Sequence, residues 1–261
     1  MAKRSEDATY DQTYLRENRD GHYVHRDYAA HYFRWGWAVA RNNEASIVGR
    51  HVLEIGCGPD LPLTRLATYK SQMPKTYVGV DLNPLKNHYP NHDTWSTLYG
   101  RTDFTEPATW AMLLENHGKF ERIVSFECIE HMPKERGWQL LWGARQLLRD
   151  DGIFMLSTPV YDGKHKATNH VHEYTVEELG RLVEAAGFRV VKRYGTFGNV
   201  VDMKRGLRAW LDERGYDQLA GDEIMDALGE YYAPDVMANF VAPLLPDLAR
   251  NNVWRLEKNN T

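Results

Sequence analysis

A chain of 261 residues, 43% hydrophobic and 26% charged, carries enough apolar surface for one well-buried domain with an appendage. A formal net charge of −4 supplies no global field that would draw nucleic acid, and no stretch approaches the roughly 18 apolar residues of a membrane span. Cys57 and Cys128 are too few for a disulfide framework, and the start MAKRSEDATYDQTYLRENRD lacks the apolar core of a signal peptide, so a cytoplasmic protein is expected.

Residues 1–45 read as an N-terminal helical cap, in which Tyr28, His31, Tyr32 and Trp35 fall at i, i+3, i+4 and i+7, an aromatic packing stripe. The middle of the chain then alternates short apolar runs with helical patterns, the rhythm of parallel βα units. His51–Ile55 is the first strand, followed by a helix over Leu61–Tyr69, and Tyr77–Val80 is the second strand. Trp95–Arg101 is a weaker third strand and Pro107–Asn116 a helix. Phe120–Phe126 is the fourth strand, and Lys134–Arg149 a helix with Trp138, Leu141, Trp142 and Leu148 at helical spacing. The Asp151-Gly152 turn ends that helix and Ile153–Ser157 is the fifth strand. Thr175 and Glu178 form the signature of a capping box, Gly187 stops the helix they open, and Phe188–Gly195 is the sixth strand.

Residues 199–250 break this rhythm with helix-like segments interrupted by Pro234, Pro243 and Pro246, before a last strand over Asn252–Glu257. The expected fold is therefore α/β, a seven-stranded sheet with helices on both faces. Its main domain takes in 46–198 and 251–261, and 199–250 is a helical insertion before the last strand, fit for a lid, a substrate contact or an oligomer contact. The basic cluster Arg189, Lys192, Arg193, Lys204, Arg205 and Arg208 reads as a solvated face. His88 and His92, bracketed by Pro84 and Pro90, read as surface loop residues.

The strongest signal is Val52-Leu53-Glu54-Ile55-Gly56-Cys57-Gly58-Pro59, a buried strand running into Gly-x-Gly, where missing Cβ atoms let a ligand approach the backbone. Asp81 ends the next strand, where a carboxylate can accept from both ribose hydroxyls of a nucleotide. Leu61 occupies the third glycine position of a dinucleotide fingerprint, which counts against NAD, FAD and a pyrophosphate site.

VLEIGCGP, GVD, TDF and the FECIEHMP–DDGIFMLSTP block, in this order over residues 50–195, resemble the motifs of class I, Rossmann-like methyltransferases dependent on S-adenosylmethionine. The resemblance implies that Glu54, Gly56, Cys57 and Gly58 belong to the methionine end of that cofactor's site. Asp81, followed by Leu82, would hold the ribose, Asp103 and Phe104 would flank the adenine, and Phe126 would border the reacting methyl. HYFRW is similar to an H-x-x-R-Y/W element of some family members, which would put Arg34 on the cofactor's carboxylate, a role suited to a forked cation.

After the fourth strand, amino-directed DNA methyltransferases carry an Asn/Asp-Pro-Pro-Tyr/Phe motif, and Phe126-Glu127-Cys128-Ile129-Glu130-His131 departs from it. Cys128 lacks the Pro-Cys context of a cytosine-C5 nucleophile and reads as an inert thiol. Glu127, Glu130 and His131 instead cluster carboxylates and an imidazole, suited to a divalent Mg, Mn or Zn ion, with His172 and also His170 supplied from Asn169–Tyr174. In an extended segment His170 and His172 would point the same way.

E-x-x-E-H with a later His is similar to ubiquinone-biosynthesis O-methyltransferases and to small-RNA 3′-terminal ribose 2′-O-methyltransferases. Without a metal, His131 or His172 would serve as general base beside Glu130, or positioning alone would suffice. The expected activity is O-methylation of a hydroxylated small molecule, a sugar, nucleoside or catechol. The alternatives are an RNA 3′ end as acceptor and a non-catalytic cofactor-binding subunit. A homodimer is compatible with the insertion, and no membrane partner is expected.

Overall fold

The computed structural model describes residues 26–59, 61–85, 95–164, 166–216, 223–224, 226–227 and 234–259. His88 and His92 lie outside them, as do the side chains of Tyr28 and His31, while Tyr32 and Trp35 of the aromatic stripe are half-buried. Along the chain run α1 (Arg26–Val39), β1 (His51–Ile55), α2 (Pro62–Tyr69), β2 (Thr76–Val80), β3 (Ser96–Tyr99), α3 (Pro107–His117) and β4 (Phe120–Phe126). A 3₁₀ turn over Ile129–His131 leads to α4 (Lys134–Leu147), β5 (Leu148–Pro159), α5 (Val176–Ala185), β6 (Phe188–Thr196), α6 (Val200–Asp212), α7 (Pro234–Val241) and β7 (Asn251–Lys258).

The strands form one seven-stranded sheet in the order β3-β2-β1-β4-β5-β7-β6. β1 pairs in parallel with both β2 and β4, β2 with β3, and β4 with β5, so their carboxyl ends gather on one edge. β1 and β4 are buried along almost their whole length, as central parallel strands are, although β1 includes Glu54 and β4 includes Arg122 and Ser125. β7 inserts between β5 and β6. Arg189 bonds Glu257 and Thr196 meets Asn251, pairings that run in opposite senses and make β6 and β7 the antiparallel arms expected around the insertion.

One expected turn is replaced by strand. β5 begins at Leu148, which pairs with Phe120, and the register then shifts before Arg122 meets Ile153. Asp150, Asp151 and Gly152 thus form an irregularity inside a strand rather than a break before it, because buried Leu148 is held against β4 while Arg149–Asp151 stay in solvent. At α5 the Thr175 hydroxyl accepts from the Glu178 N–H at 3.1 Å, but the Glu178 carboxylate turns to Lys134 and His172, so only half of the capping box forms.

Two compact units divide the described chain. The first comprises 35–192 and 254–259 and holds a core that includes Leu53, Ile55, Val78, Phe120, Ile123, Leu140, Phe154, Phe188 and Leu256. The second comprises 26–34 and 193–253, and its own cluster joins Met203 of α6 with Met237, Ala238 and Val241 of α7 and with Ala242 and Ala249. The boundaries fall inside α1, between Arg34 and Trp35, inside β6, between Lys192 and Arg193, and inside β7, between Val253 and Trp254. The partition of the sequence at 45/46, 198/199 and 250/251 follows the ends of elements, whereas these boundaries cut through them. Among the described residues no helix is long and apolar enough to cross a membrane.

Within the first unit, α4 lies tight against α3 at Gly143, where an added Cβ would stand 2.3 Å from Trp110 Nε1. That indole donates to the Phe104 carbonyl at 2.5 Å and so fixes the loop after β3. Gly143→Ala would gain about 1 kcal/mol in helix propensity yet force Trp110 off its acceptor, and overpacking of this kind costs about 1–3 kcal/mol. Chemical denaturation should therefore show the alanine variant to be the less stable protein, with a more stable variant contradicting the contact.

Candidate functional site

β1 ends in a loop whose backbone is strapped to the end of β2: the Gly56 and Cys57 N–H groups donate to the Val80 carbonyl at 2.8 and 3.3 Å. Gly56 adopts φ 72° and Gly58 φ 69°, the left-handed region that side chains avoid. At Gly56 space is also absent, since a Cβ would stand 2.7 Å from Cys128 Sγ. The Gly58 N–H donates to Asp81 Oδ2 at 2.8 Å, and the other carboxylate oxygen accepts from the Asn83 N–H at 2.8 Å. Asp81 is thereby buried and immobilised at the carboxyl end of β2, with half-buried Leu82 beside it.

Glu54 is buried beneath this loop and accepts from the Tyr77 hydroxyl at 2.5 Å. Burial pushes its pKa up to about 8, against the Tyr77 bond and with the Asp81 charge adding in the same direction. It is therefore a structural carboxyl group held mainly in the neutral form. Cys57 is buried as well, and burial likewise pushes its thiol up, leaving it an inert packing group.

Past β3, Asp103 accepts from the Thr105 N–H at 2.9 Å and hydroxyl at 2.6 Å, and it pairs with Arg136 of α4. Burial raises its pKa, but the bonds from Thr105 and Arg136 outweigh it and hold the carboxyl below the usual range. Both carboxylate oxygens of Asp103, the residue expected beside the adenine, thus already have donors on the protein. Phe104 and Phe126 are buried, the latter at the end of β4. Arg34 belongs to the second unit, where it is buried with its guanidinium 5.7 Å from the Phe197 ring centroid.

The carboxyl ends of β4 and β5 carry the titratable cluster. Donor atoms of Glu130, His131 and His170 all lie within 4.8 Å of one another. Glu130 is fully buried, its Oε2 accepts from the Thr158 hydroxyl at 3.1 Å, and its carbonyl accepts from the Val171 and His172 N–H groups at 2.8 and 3.0 Å. His131 Nδ1 is 3.1 Å from the Asn169 carbonyl, and burial, then the neighbouring His170, hold its pKa below the ordinary histidine value. The His131 and His170 rings meet edge to face at 5.0 Å.

This set differs from the expected one in two members. Glu127 sits at φ 53° and its carboxylate accepts from the Ser157 hydroxyl at 2.8 Å. His172 reaches Glu178 at 3.2 Å, and its ring stands on Tyr174. The expectation that His170 and His172 share a direction is corrected, because the segment is not extended. Val171 and His172 both donate to one carbonyl, which curls the backbone and sends the two rings to different partners. Sequence reading also passed over Glu173, which His170 contacts at 2.5 Å, although the i,i+3 spacing was there to be noticed.

A methyltransferase-domain family matches residues 22–193. A probable S-adenosylmethionine-dependent methyltransferase of Mycolicibacterium smegmatis is 27% identical over 173 residues, 64% of this chain and 63% of the relative. A tRNA U34 carboxymethyltransferase of Aeromonas hydrophila is 26% identical over 217 residues, 78% of this chain and 56% of the relative. The chain thus spans less than two thirds of the length of these curated relatives. Among solved structures, the Burkholderia thailandensis 1,6-didemethyltoxoflavin-N1-methyltransferase, with 1,6-didemethyltoxoflavin and S-adenosylhomocysteine bound, matches with a TM-score of 0.54. It is 17% identical, with coverage of 100% of this chain and 92% of that one, a likeness of fold.

Glu54 makes a prediction for stability. Its folded pKa of about 8 lies above the ordinary carboxyl value, so the folded protein holds a proton that the unfolded chain releases. The stabilisation is complete at acid pH and is lost as pH rises through the window up to about 8. Denaturation midpoints measured across that window should fall less steeply for Glu54→Gln than for the unaltered protein. Equal slopes would contradict a neutral Glu54.

Proposed function

Because the chain belongs to the methyltransferase-domain family, we propose that it transfers the methyl group of S-adenosylmethionine to an oxygen of a hydroxylated small molecule, a sugar, nucleoside or catechol, with help from a divalent metal. The residues present fit the cofactor. Gly56 and Gly58 turn the loop through left-handed conformations at the end of β1, the place for the methionine end, and Asp81 is a fixed acceptor for the ribose. Leu82 would lie beside the ribose, Asp103 and Phe104 would border the adenine and Phe126 the methyl group. When bound, S-adenosylmethionine supplies an electrophilic methyl on a sulfonium.

Glu130, His131 and His170 carry the rest of this reading, because three donors within 4.8 Å of one another fit an Mg, Mn or Zn ion. Such an ion, when bound, supplies Lewis acidity toward a hydroxyl oxygen. The protein's own part is to keep these donors fixed. Thr158 orients the Glu130 carboxylate, and burial keeps His131 neutral. The Asn169 carbonyl can only accept, so it puts the His131 proton on Nδ1 and leaves Nε2 able to ligate or to take the proton of an acceptor hydroxyl.

A second reading, an RNA acceptor, is favoured by the similarity to the tRNA U34 carboxymethyltransferase. Labelled methyl transfer to a panel of vicinal diols, catechols, sugars, nucleosides and RNA distinguishes the two. Transfer to a small hydroxylated acceptor should be lost with EDTA and restored by a divalent ion. Glu130→Gln should lower it by at least the roughly 10- to 100-fold that disturbing an outer-shell partner of a metal costs. Transfer only to RNA would favour the second reading, and cofactor binding without any turnover would make the chain a cofactor-binding partner subunit.

A further inference from the structure

A neutral imidazole has one nitrogen with a proton and one with a lone pair, so a histidine in a donor cluster works only if its other nitrogen finds an acceptor. For His131 that acceptor is the Asn169 carbonyl. For His170 it is a carboxylate, with Nδ1 lying 2.5 Å from Glu173 Oε1. Both side chains are largely out of solvent, 14% exposed for His170 and 6% for Glu173. Glu173 is held in turn, since its Oε1 also accepts from the Ala167 N–H at 2.9 Å.

The loop around the pair is closed at its base by the Tyr161 N–H on the Tyr174 carbonyl and against Glu130 by the Val171 and His172 N–H groups. His172 has no such arrangement. Its Nε2 shares Glu178 with Lys134, and its side chain is 32% exposed. A buried carboxylate that orients one histidine of the pair and not the other separates the roles of the two residues.

We propose that Glu173 is a positioning residue whose carboxylate fixes His170 with its proton on Nδ1, leaving Nε2 as the lone-pair nitrogen with which His170 joins Glu130 and His131. This deepens the function proposed above and rests on that cluster being the site of chemistry. Glu173 acts through His170 and not on the acceptor itself. A hydrogen bond to an ionised acceptor also raises the electron density of the ring, making the lone pair a better donor to a metal or to a proton.

Histidine ring tautomers are read directly from long-range ¹H–¹⁵N correlation spectra of the full chain labelled with ¹⁵N-histidine, at alkaline pH where the rings are neutral. His170 is assigned by its disappearance in His170→Gln. In the unaltered protein its proton should be on Nδ1. Glu173→Ala should shift the population toward Nε2–H and weaken Mn²⁺ binding in calorimetric titration by about 10- to 100-fold. Glu173→Gln keeps an amide oxygen for the same two bonds and should restore the tautomer.

His170 protonated on Nε2 in the unaltered protein would overturn the proposal whether or not either variant folds. So would a Glu173→Ala spectrum with the His170 tautomer unchanged. Absence of Mn²⁺ binding by the unaltered protein, with the tautomers as expected, would instead count against the metal in the proposed function and leave the role of Glu173 supported.

Discussion

The bond from the Gly58 N–H to Asp81 is the constraint from which the site is organised. It joins the loop after β1 to the residue after β2, two strands already paired in parallel from His51/Thr76 to Ile55/Val80. A carboxylate buried at that point would be costly alone, but the Gly58 and Asn83 N–H groups satisfy it. The left-handed glycines follow from the same requirement, because the chain must turn sharply enough to bring its own N–H groups onto Val80 and Asp81. Beneath them the neutral Glu54, bonded to Tyr77, supports the loop without placing a second full charge beside Asp81.

Parallel order carries the consequence across the sheet. With β1, β2, β4 and β5 aligned, whatever follows each strand emerges on one edge, where open α/β sheets bind ligands. The glycine loop and Asp81 occupy the β1–β2 part of that edge, and Glu130, His131 and His170 occupy the β4–β5 part. Cys128 links the two in the most literal way, by packing its sulfur where a Cβ on Gly56 would have to go. The position of the donor cluster thus depends on the same strand alignment as the cofactor loop.

Much of this was legible in the residues. His51–Ile55 and Phe120–Phe126, the latter through its Ile123–Val124 centre, were legible as buried strands, and Gly-x-Gly before a spaced Asp81 marked the loop. What sequence reading missed depends on contacts between distant segments. The Asp151-Gly152 pair looks like a turn, and only the pairing of Leu148 with Phe120 makes it part of β5. His172 is the first choice of the two histidines in the sequence, and only the curl held by the Glu130 carbonyl puts His170 into the cluster instead. Glu173 escaped notice for a similar reason: a carboxylate three residues from a histidine is unremarkable unless both are buried, and burial is a property of the folded loop.

Calorimetric titration of S-adenosylhomocysteine tests the central claim most directly, that the loop tied to Asp81 is the cofactor site. The unaltered protein should bind it at about micromolar Kd, and Asp81→Ala should lose about 10- to 100-fold, as expected for losing hydrogen bonds to a charged acceptor. Equal binding by both proteins, or no binding by either, would contradict the account.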